Sequence, residues 1–152
     1  MAGEPAIQKV LGTLQAALST AAVTVDIDRP EDDAYGKGEL EAINIQHRST
    51  TFEHHSHNET LHRATVDIGM IVAVEASATN AVRLREMEAD VVAVLWANRT
   101  LGGLAQDMTP LSSGGDDDVR SDEGERALSV EILFLTPVGD HRTVIGATGL
   151  IP

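Results

Sequence analysis

The residues best suited to chemistry in this 152-residue chain are histidines that lie close together in the sequence. The group consists of His47, His54, His55, His57 and His62. Because imidazoles two residues apart on a strand share a face, His55 and His57 could chelate a divalent ion, with Glu53 or Glu59 completing the site. The spacing lacks the H-E-x-x-H pattern of a catalytic zinc site, and the neighbouring Ser, Thr, Asn and Glu residues favour a polar hairpin tip over residues 49–60. We therefore predict no obligatory metal site, and His54, His55 and His57 are the candidates if one exists.

A second group of ligand-type side chains is the acidic segment over residues 116–125, which begins with Asp116, Asp117 and Asp118. Contiguous carboxylates can gather magnesium or calcium. A calcium loop, however, needs acids at alternate positions, a central glycine and a distal glutamate, and residues 113–125 do not supply them. The sequence predicts a self-repelling, solvated loop here.

The chain offers no other catalytic pattern. It contains no cysteine, which excludes disulfides, thiolate nucleophiles and cysteine-based metal sites. No segment matches a nucleophile elbow, a phosphate-binding glycine loop or a dinucleotide fingerprint. We expect no enzyme activity, no catalytic residue and no cofactor, and a histidine-based metal-dependent hydrolase is the enzymatic alternative.

The charge of the chain restricts its partners. There are 24 acidic residues against 11 lysines and arginines, a formal net charge of −13, which repels phosphate backbones and anionic lipids. We expect neither sequence-specific nucleic-acid binding nor membrane binding. The N-terminal residues lack the basic and apolar regions of a signal peptide, and no apolar run approaches the roughly 20 residues of a membrane span. An acidic mimic of DNA is a further alternative, but it would spread its carboxylates along one surface instead of clustering them in a loop.

The elements that position these residues follow from hydrophobic periodicity. Helical spacing predicts helices over 5–20 and 79–101, and alternation predicts strands over 23–28, 40–48, 66–76, 104–111 and 126–136. The glycine-containing segment 31–38 is typical of a loop. The predicted fold is α+β, with a mixed or antiparallel sheet of about four or five strands and two helices packed on one face. Residues 1–136 form a single domain in this prediction, and residues 137–152 form a C-terminal arm or linker.

Two segments carry more apolar surface than one small core can cover. Every residue from 91 to 97 is apolar, and a helix that is apolar all round must be buried on more than one side. The strand over 66–76 also carries apolar residues on its second face. We expect a neighbouring subunit to cover part of this surface. The predicted oligomer interface consists of Val91, Val92, Leu95, Trp96, Ile71 and Ala73.

The order of these elements resembles that of the tail terminator proteins of long-tailed phages, the minor tail protein U type. The most specific likeness lies in the last third: a helix ending near residues 96–101, residues 104–108, the Asp116–Asp118 loop and the strand sequence from Ala127 to Phe134. The resemblance covers most of residues 5–135, as a pattern of elements without a signature motif.

The resemblance implies a structural virion protein without enzyme activity. Such a protein forms a ring, as a hexamer, that caps the tail tube and joins the tail to the head or neck connector protein, while DNA passes through the hole without sequence-specific binding. Asp116, Asp117 and Asp118 would then face the lumen or a partner. The protein would assemble in the host cytoplasm and reside at the tail–neck region of the virion. A gene transfer agent would use the same part, and a head–tail adaptor or tail-completion protein is the near alternative.

Overall fold

The computed structural model of the protein describes residues 4–22, 24–30, 41–73, 77–116, 123–146 and 149–152. These residues form two α-helices, a five-stranded mixed sheet and a small two-stranded sheet. The predicted α+β fold is therefore confirmed. No helix in the described part of the chain is long and apolar enough to cross a membrane.

The elements follow one another in a simple order along the chain. They are α1 (Ala6–Leu18), β1 (Thr24–Ile27), β2 (Glu41–Ser56), β3 (Glu59–Ala73), α2 (Ser77–Ala97), a 3₁₀ turn (Leu101–Gly103), β4 (Asp107–Asp116), β5 (Glu123–Pro137), β6 (Val144–Gly146) and β7 (Gly149–Ile151). The large sheet has the strand order β1-β2-β3-β5-β4. β1 runs parallel to β2, and the other neighbours are antiparallel, so β2–β3 and β4–β5 form long hairpins around the central strand β3.

The two faces of this sheet differ because side chains alternate along each strand. On the face that packs against both helices, here called the helix face, β3 and β5 place fully buried residues in register, such as Val66 opposite Val130. The helices contribute apolar residues three or four apart, as the predicted periodicity requires. These helical core residues are Ala6, Val10, Leu11, Leu14, Leu18, Leu84, Met87, Val91 and Leu95. The opposite surface of the sheet is here called the open face.

Ion pairs from Arg83 and Glu88 attach α2 to the strands. Arg83 donates two hydrogen bonds to the Glu41 carboxylate of β2, at 2.6 and 2.7 Å. Arg126 of β5 donates to Glu88 at 2.9 Å. The helix is therefore positioned by both apolar packing and charge.

Several boundaries differ from the sequence predictions. The second strand continues to Ser56, and its partner begins at Glu59, so the polar segment 49–60 is mostly a β-ribbon whose turn is only His57 and Asn58. A register shift between His47 and Ser49 changes which residues face the helices. Both faces of this ribbon are largely polar, so its sequence has no hydrophobic periodicity. For this reason the sequence does not predict strands over residues 49–60.

The second helix ends at Ala97, earlier than predicted, and a 3₁₀ turn follows. Leu101 is buried but has φ of 49°, and Gly102 has φ of 69°. Both residues adopt the left-handed backbone conformation, which glycine adopts without steric cost. This explains the glycine at position 102. The next strand runs to Asp116 despite Pro110, because β4 is an edge strand with a register shift beside that proline.

The segment after Pro137 packs against the domain, unlike the predicted arm or linker. Val144 of β6 is fully buried in the core, and Ile151 of β7 packs against it. The backbone N–H of Ala6, at the start of α1, donates to the carbonyl of His141 at 2.7 Å. The sequence does not predict this packing, because the buried Val144 and the partly buried Ile151 belong to two short strands that are too brief to produce a periodic pattern.

Candidate functional site

The second half of α2 divides between the core and the surface. Val91 and Leu95 are 0% and 1% exposed within the single chain, so they are part of the subunit core and are unavailable to a partner. Val92 is partly buried against the same core, whereas Trp96 is 50% exposed. The predicted interface on this helix therefore narrows to the side that carries Trp96.

Trp96 is held in place on the surface by its neighbours. The Arg99 guanidinium lies 4.5 Å from the centre of the indole ring, a cation–π contact. Arg99 also donates two hydrogen bonds to the carboxylate of Asp107, at 2.9 and 3.0 Å, and these bonds lower the pKa of Asp107. We call Trp96, Arg99 and Asp107 the Trp96 patch. It presents a large, oriented aromatic ring with a neutralised charge pair beside it.

The open face of the sheet is mixed in character. Ile71 is partly buried there, opposite Ala42 of β2 and Glu125 of β5. The side chain of Ala73 lies outside the described part of the chain, so its predicted interface role has no geometry here. Towards the other end of β3, Leu61 pairs in register with Leu135.

Charged side chains cross this open face in pairs. Arg63 donates to Glu131 at 2.9 Å and to Glu53 at 3.3 Å, and Arg48 donates to Asp67 at 2.6 Å. Such partly exposed pairs contribute little to stability, but they give the face a fixed pattern of charge. The open face is therefore a polar surface with apolar residues at both ends, rather than one continuous apolar patch.

The predicted lumen or partner loop lies largely outside the described residues. Asp116 is the last residue of β4, and its backbone pairs with Glu125. Asp117 and Asp118 are not among the described residues. The predicted acidic loop is also shorter than 116–125, because β5 already begins at Glu123.

The hairpin histidines do not converge on a metal site. His54 and His55 are exposed on β2, and His57 lies in the turn beyond the end of that strand, so the alternation that would align it with His55 does not reach it. The two carboxylates proposed to assist have other partners: Glu53 accepts from Arg63, and Glu59 accepts from the Ser56 hydroxyl at 2.7 Å. Within the described residues, no group of three His, Asp or Glu side chains could hold a metal ion.

A buried histidine on β3 forms a different site, which the sequence did not predict. His62 is 4% exposed on the helix face, and its ring stacks on Phe134 with 4.5 Å between centroids. Phe52 contacts it edge-on at 4.9 Å, and His141 does so at 4.6 Å. Its Nε2 lies 2.8 Å from the hydroxyl of Thr136, which is also fully buried.

Burial holds His62 in its neutral form. Desolvation, together with the nearby His141, lowers the pKa of His62 from 6.5 to about 4. One feature of the sequence could have indicated this site. His62 lies two and four residues before Ala64 and Val66, so alternation places all three on the same, buried face of the strand. His141 has no such signal, because it lies in an irregular segment far away in the sequence.

In comparisons with known proteins, no family model and no curated protein matches this chain.

Proposed function

We propose that this protein is a structural virion component, a tail terminator that forms a ring, caps the tail tube and joins the tail to the head or neck. The observation that carries the proposal is the order and pairing of its elements. An N-terminal helix and short strand precede a long hairpin, one long helix and a second hairpin, all in one five-stranded sheet. This order of elements is the one on which the resemblance to phage tail terminators rests.

The distribution of exposed apolar groups supports a role in assembly. The helices cover one face of the sheet, and Trp96 stands half-exposed on the outer side of α2. Phe52 and Leu111 are also more than half exposed, on the two long hairpins. Exposed aromatic residues such as Trp96 and Phe52 are candidates for protein–protein contacts, because aromatic side chains are enriched in the centres of such interfaces. A ring subunit needs such surfaces on more than one side, because it meets two neighbouring copies and two axial partners.

The charge supports passage of DNA without binding. A net charge of −13 repels a phosphate backbone, so a ring of these subunits would let DNA slide through its hole. The chain has only one Trp, one Tyr and two Phe residues, and Phe134 is buried, which leaves few rings for stacking on bases. The proposed partners are further copies of the chain, as a hexamer, the tail tube protein and the head or neck connector protein. The site of action is the tail–neck region of a virion or of a gene transfer agent.

The proposal is tested by observing assembly with and without the Trp96 patch. Purified protein, alone and mixed with tail tubes, is examined by negative-stain electron microscopy and analytical ultracentrifugation. We expect rings on tube ends for the natural sequence, because the tube provides a template even where the free subunit is a monomer. Trp96→Asp should abolish ring formation while circular dichroism shows an unchanged fold, since this side chain is half-exposed.

A matched control adds the same charge elsewhere. Ala16 is exposed on α1, so Ala16→Asp should leave both the fold and the rings intact. If the natural protein stays monomeric both alone and on tubes, the proposed function is wrong. Binding to the head connector without any affinity for tubes would identify a head–tail adaptor instead.

A further inference from the structure

The loop over residues 138–143, between β5 and β6, is attached to α1, to the β2–β3 turn, and to the strands β2 and β3. Its carbonyl at His141 accepts the Ala6 N–H of α1, and the Lys9 ammonium of α1 donates to the carbonyl of Arg142. The Val138 N–H donates to the carbonyl of Asn58 in the β2–β3 turn at 3.0 Å. The ring of His141 contacts the ring of His62 and also that of Phe52, with 5.1 Å between the centroids of His141 and Phe52. The loop thus covers the end of the helix face where His62 is buried.

Among the residues that the structure describes, the groups in contact with His62 include no acid that could stabilise a positive charge. From β2 it meets the ring of Phe52, from β5 the ring of Phe134 and the hydroxyl of Thr136, and from the 138–143 loop the imidazole of His141.

The elements around this site also carry charged groups. Lys9 of α1 and Arg142 of the loop are both cationic, and the Asp140 carboxylate is occupied by the N–H groups of Arg142 and Thr143, at 2.9 and 3.3 Å. On β2, Glu53 is paired with Arg63, and His54 is exposed. A proton on His62 would therefore be buried among uncharged groups and would face a second histidine.

We propose that the contact between His62 and His141 is an acid-sensitive latch: protonation of His62 releases the 138–143 loop and uncovers the aromatic end of the sheet. The inference rests on this geometry and is independent of the proposed function. Opening would let water reach the charged imidazole and would expose Phe134. An acid environment would thereby create an apolar surface that is hidden at neutral pH.

The direction of the effect follows from linkage. With the loop closed, the pKa of His62 is about 4, and with the loop open it returns towards 6.5. The open form binds the proton more tightly, so opening is favoured as the pH falls from 6.5 to 4, by up to about tenfold per pH unit. Interactions of the loop with the α1 backbone do not titrate in this range. The pKa of Asp140 is lowered from 3.8, so the turn that Asp140 stabilises is lost only at still lower pH.

The latch is tested by amide hydrogen exchange, measured by NMR on the complete chain at about pH 7 and about pH 4.5 and corrected for intrinsic rates. The Ala6 amide reports loop closure, because its hydrogen bond ends on His141. Its protection should fall by roughly fiftyfold between these pH values. The amides of Val66 and Val130, in the middle of the sheet, should stay protected. An unchanged Ala6 amide, or equal losses at Ala6 and in the sheet, would overturn the proposal.

Two substitutions separate the latch from a general acid effect. His62→Phe keeps an aromatic ring against Phe134 and removes the titrating group, so protection of Ala6 should no longer depend on pH. His57→Phe changes an exposed histidine of the hairpin turn and should keep the response of the natural protein. A full acid response in a folded His62→Phe variant would contradict the latch, and if that variant fails to fold, the measurement on the natural sequence still decides.

Discussion

The helix face and the open face of the sheet are built from alternate residues of the same strands, yet they have different roles. On β5, Ile132 is fully buried against the helices, while its neighbour Leu133 points to the open face and stays partly exposed. On α2, the same contrast separates Leu95, at 1% exposure, from Trp96, at 50%. One step along the chain thus changes an apolar side chain from a core residue to a surface residue.

This contrast shows that an apolar run is not evidence of an interface until its phase is known. Val91 and Leu95 lie four residues apart, one helical turn, and both face the sheet. Trp96 is out of phase with them and faces outward. The apolar excess is real, but it belongs to a few exposed positions and not to the whole segment.

The prediction with the largest expected effect compares the loss of stability when one apolar residue on each face is truncated. Ile132→Ala should lower the free energy of unfolding by about 2–5 kcal/mol, because it leaves a cavity between the sheet and the helices. Leu133→Ala should cost less, about 1–2 kcal/mol, since this side chain is only partly buried. Urea unfolding followed by circular dichroism measures both. Equal losses for the two variants would mean that the open face is covered in the isolated protein.

The sequence predicts much of this fold because the core elements are periodic. Helix α1, the buried residues Ile43 and Ile45 of β2 and the strand β5 follow from spacing alone. The sequence could not predict the ribbon beyond Arg48, where exposed polar residues alternate without a hydrophobic partner. The early end of α2 was equally hidden, because the backbone turn at Leu101 depends on tertiary packing and a left-handed conformation rather than on helix propensity.

The second prediction concerns acid, and it separates the histidine of the helix face from those of the hairpin. Because the pKa of His62 is lowered from 6.5 to about 4, the unfolded chain binds a proton more readily than the folded protein in this range. Stability is therefore complete above pH 6.5 and falls by at most about 3 kcal/mol as the pH drops to 4. Urea unfolding at a series of pH values should show this slope.

Substitutions test whether His62 causes this dependence of the free energy of unfolding on pH. His62→Phe should flatten it, whereas His57→Asn should leave it unchanged because that side chain is exposed. A slope that persists in His62→Phe would place the responsible proton on another group.

The third prediction, with the smallest expected change in the free energy of unfolding, compares an ion pair on each face of the sheet. Arg126 and Glu88 tie β5 to α2 on the helix face, and each side chain is less than one-fifth exposed. Arg126→Ala should cost about 1–2 kcal/mol, because it leaves a largely desolvated carboxylate with one partner fewer. Arg48→Ala, which removes the exposed pair with Asp67 on the open face, should cost about 0.5 kcal/mol or less. Thermal unfolding at low and high salt checks both values, and a larger loss for Arg48→Ala would reverse the assigned difference between the faces.

The candidate sites were harder to predict than the fold, for physical reasons. The hairpin histidines stand out by type and proximity, but the ribbon spreads them over an exposed surface. The pair that does meet, His62 and His141, is joined only by the return of the chain after β5, and no local pattern encodes a contact of that kind. The interface role predicted for Trp96 stays a prediction, and the support of its ring by Arg99 and Asp107 could be found only from the tertiary structure.

The most direct test of the proposed tail-terminator function is the morphology of particles made without this protein. The gene is deleted in its native genome, and the particles are imaged by electron microscopy, with a plasmid copy of the gene as the control. We predict overlong tails or tails without heads, restored to normal by the natural sequence and not by Trp96→Asp. Tails of normal length joined to heads in the deletion would contradict the account.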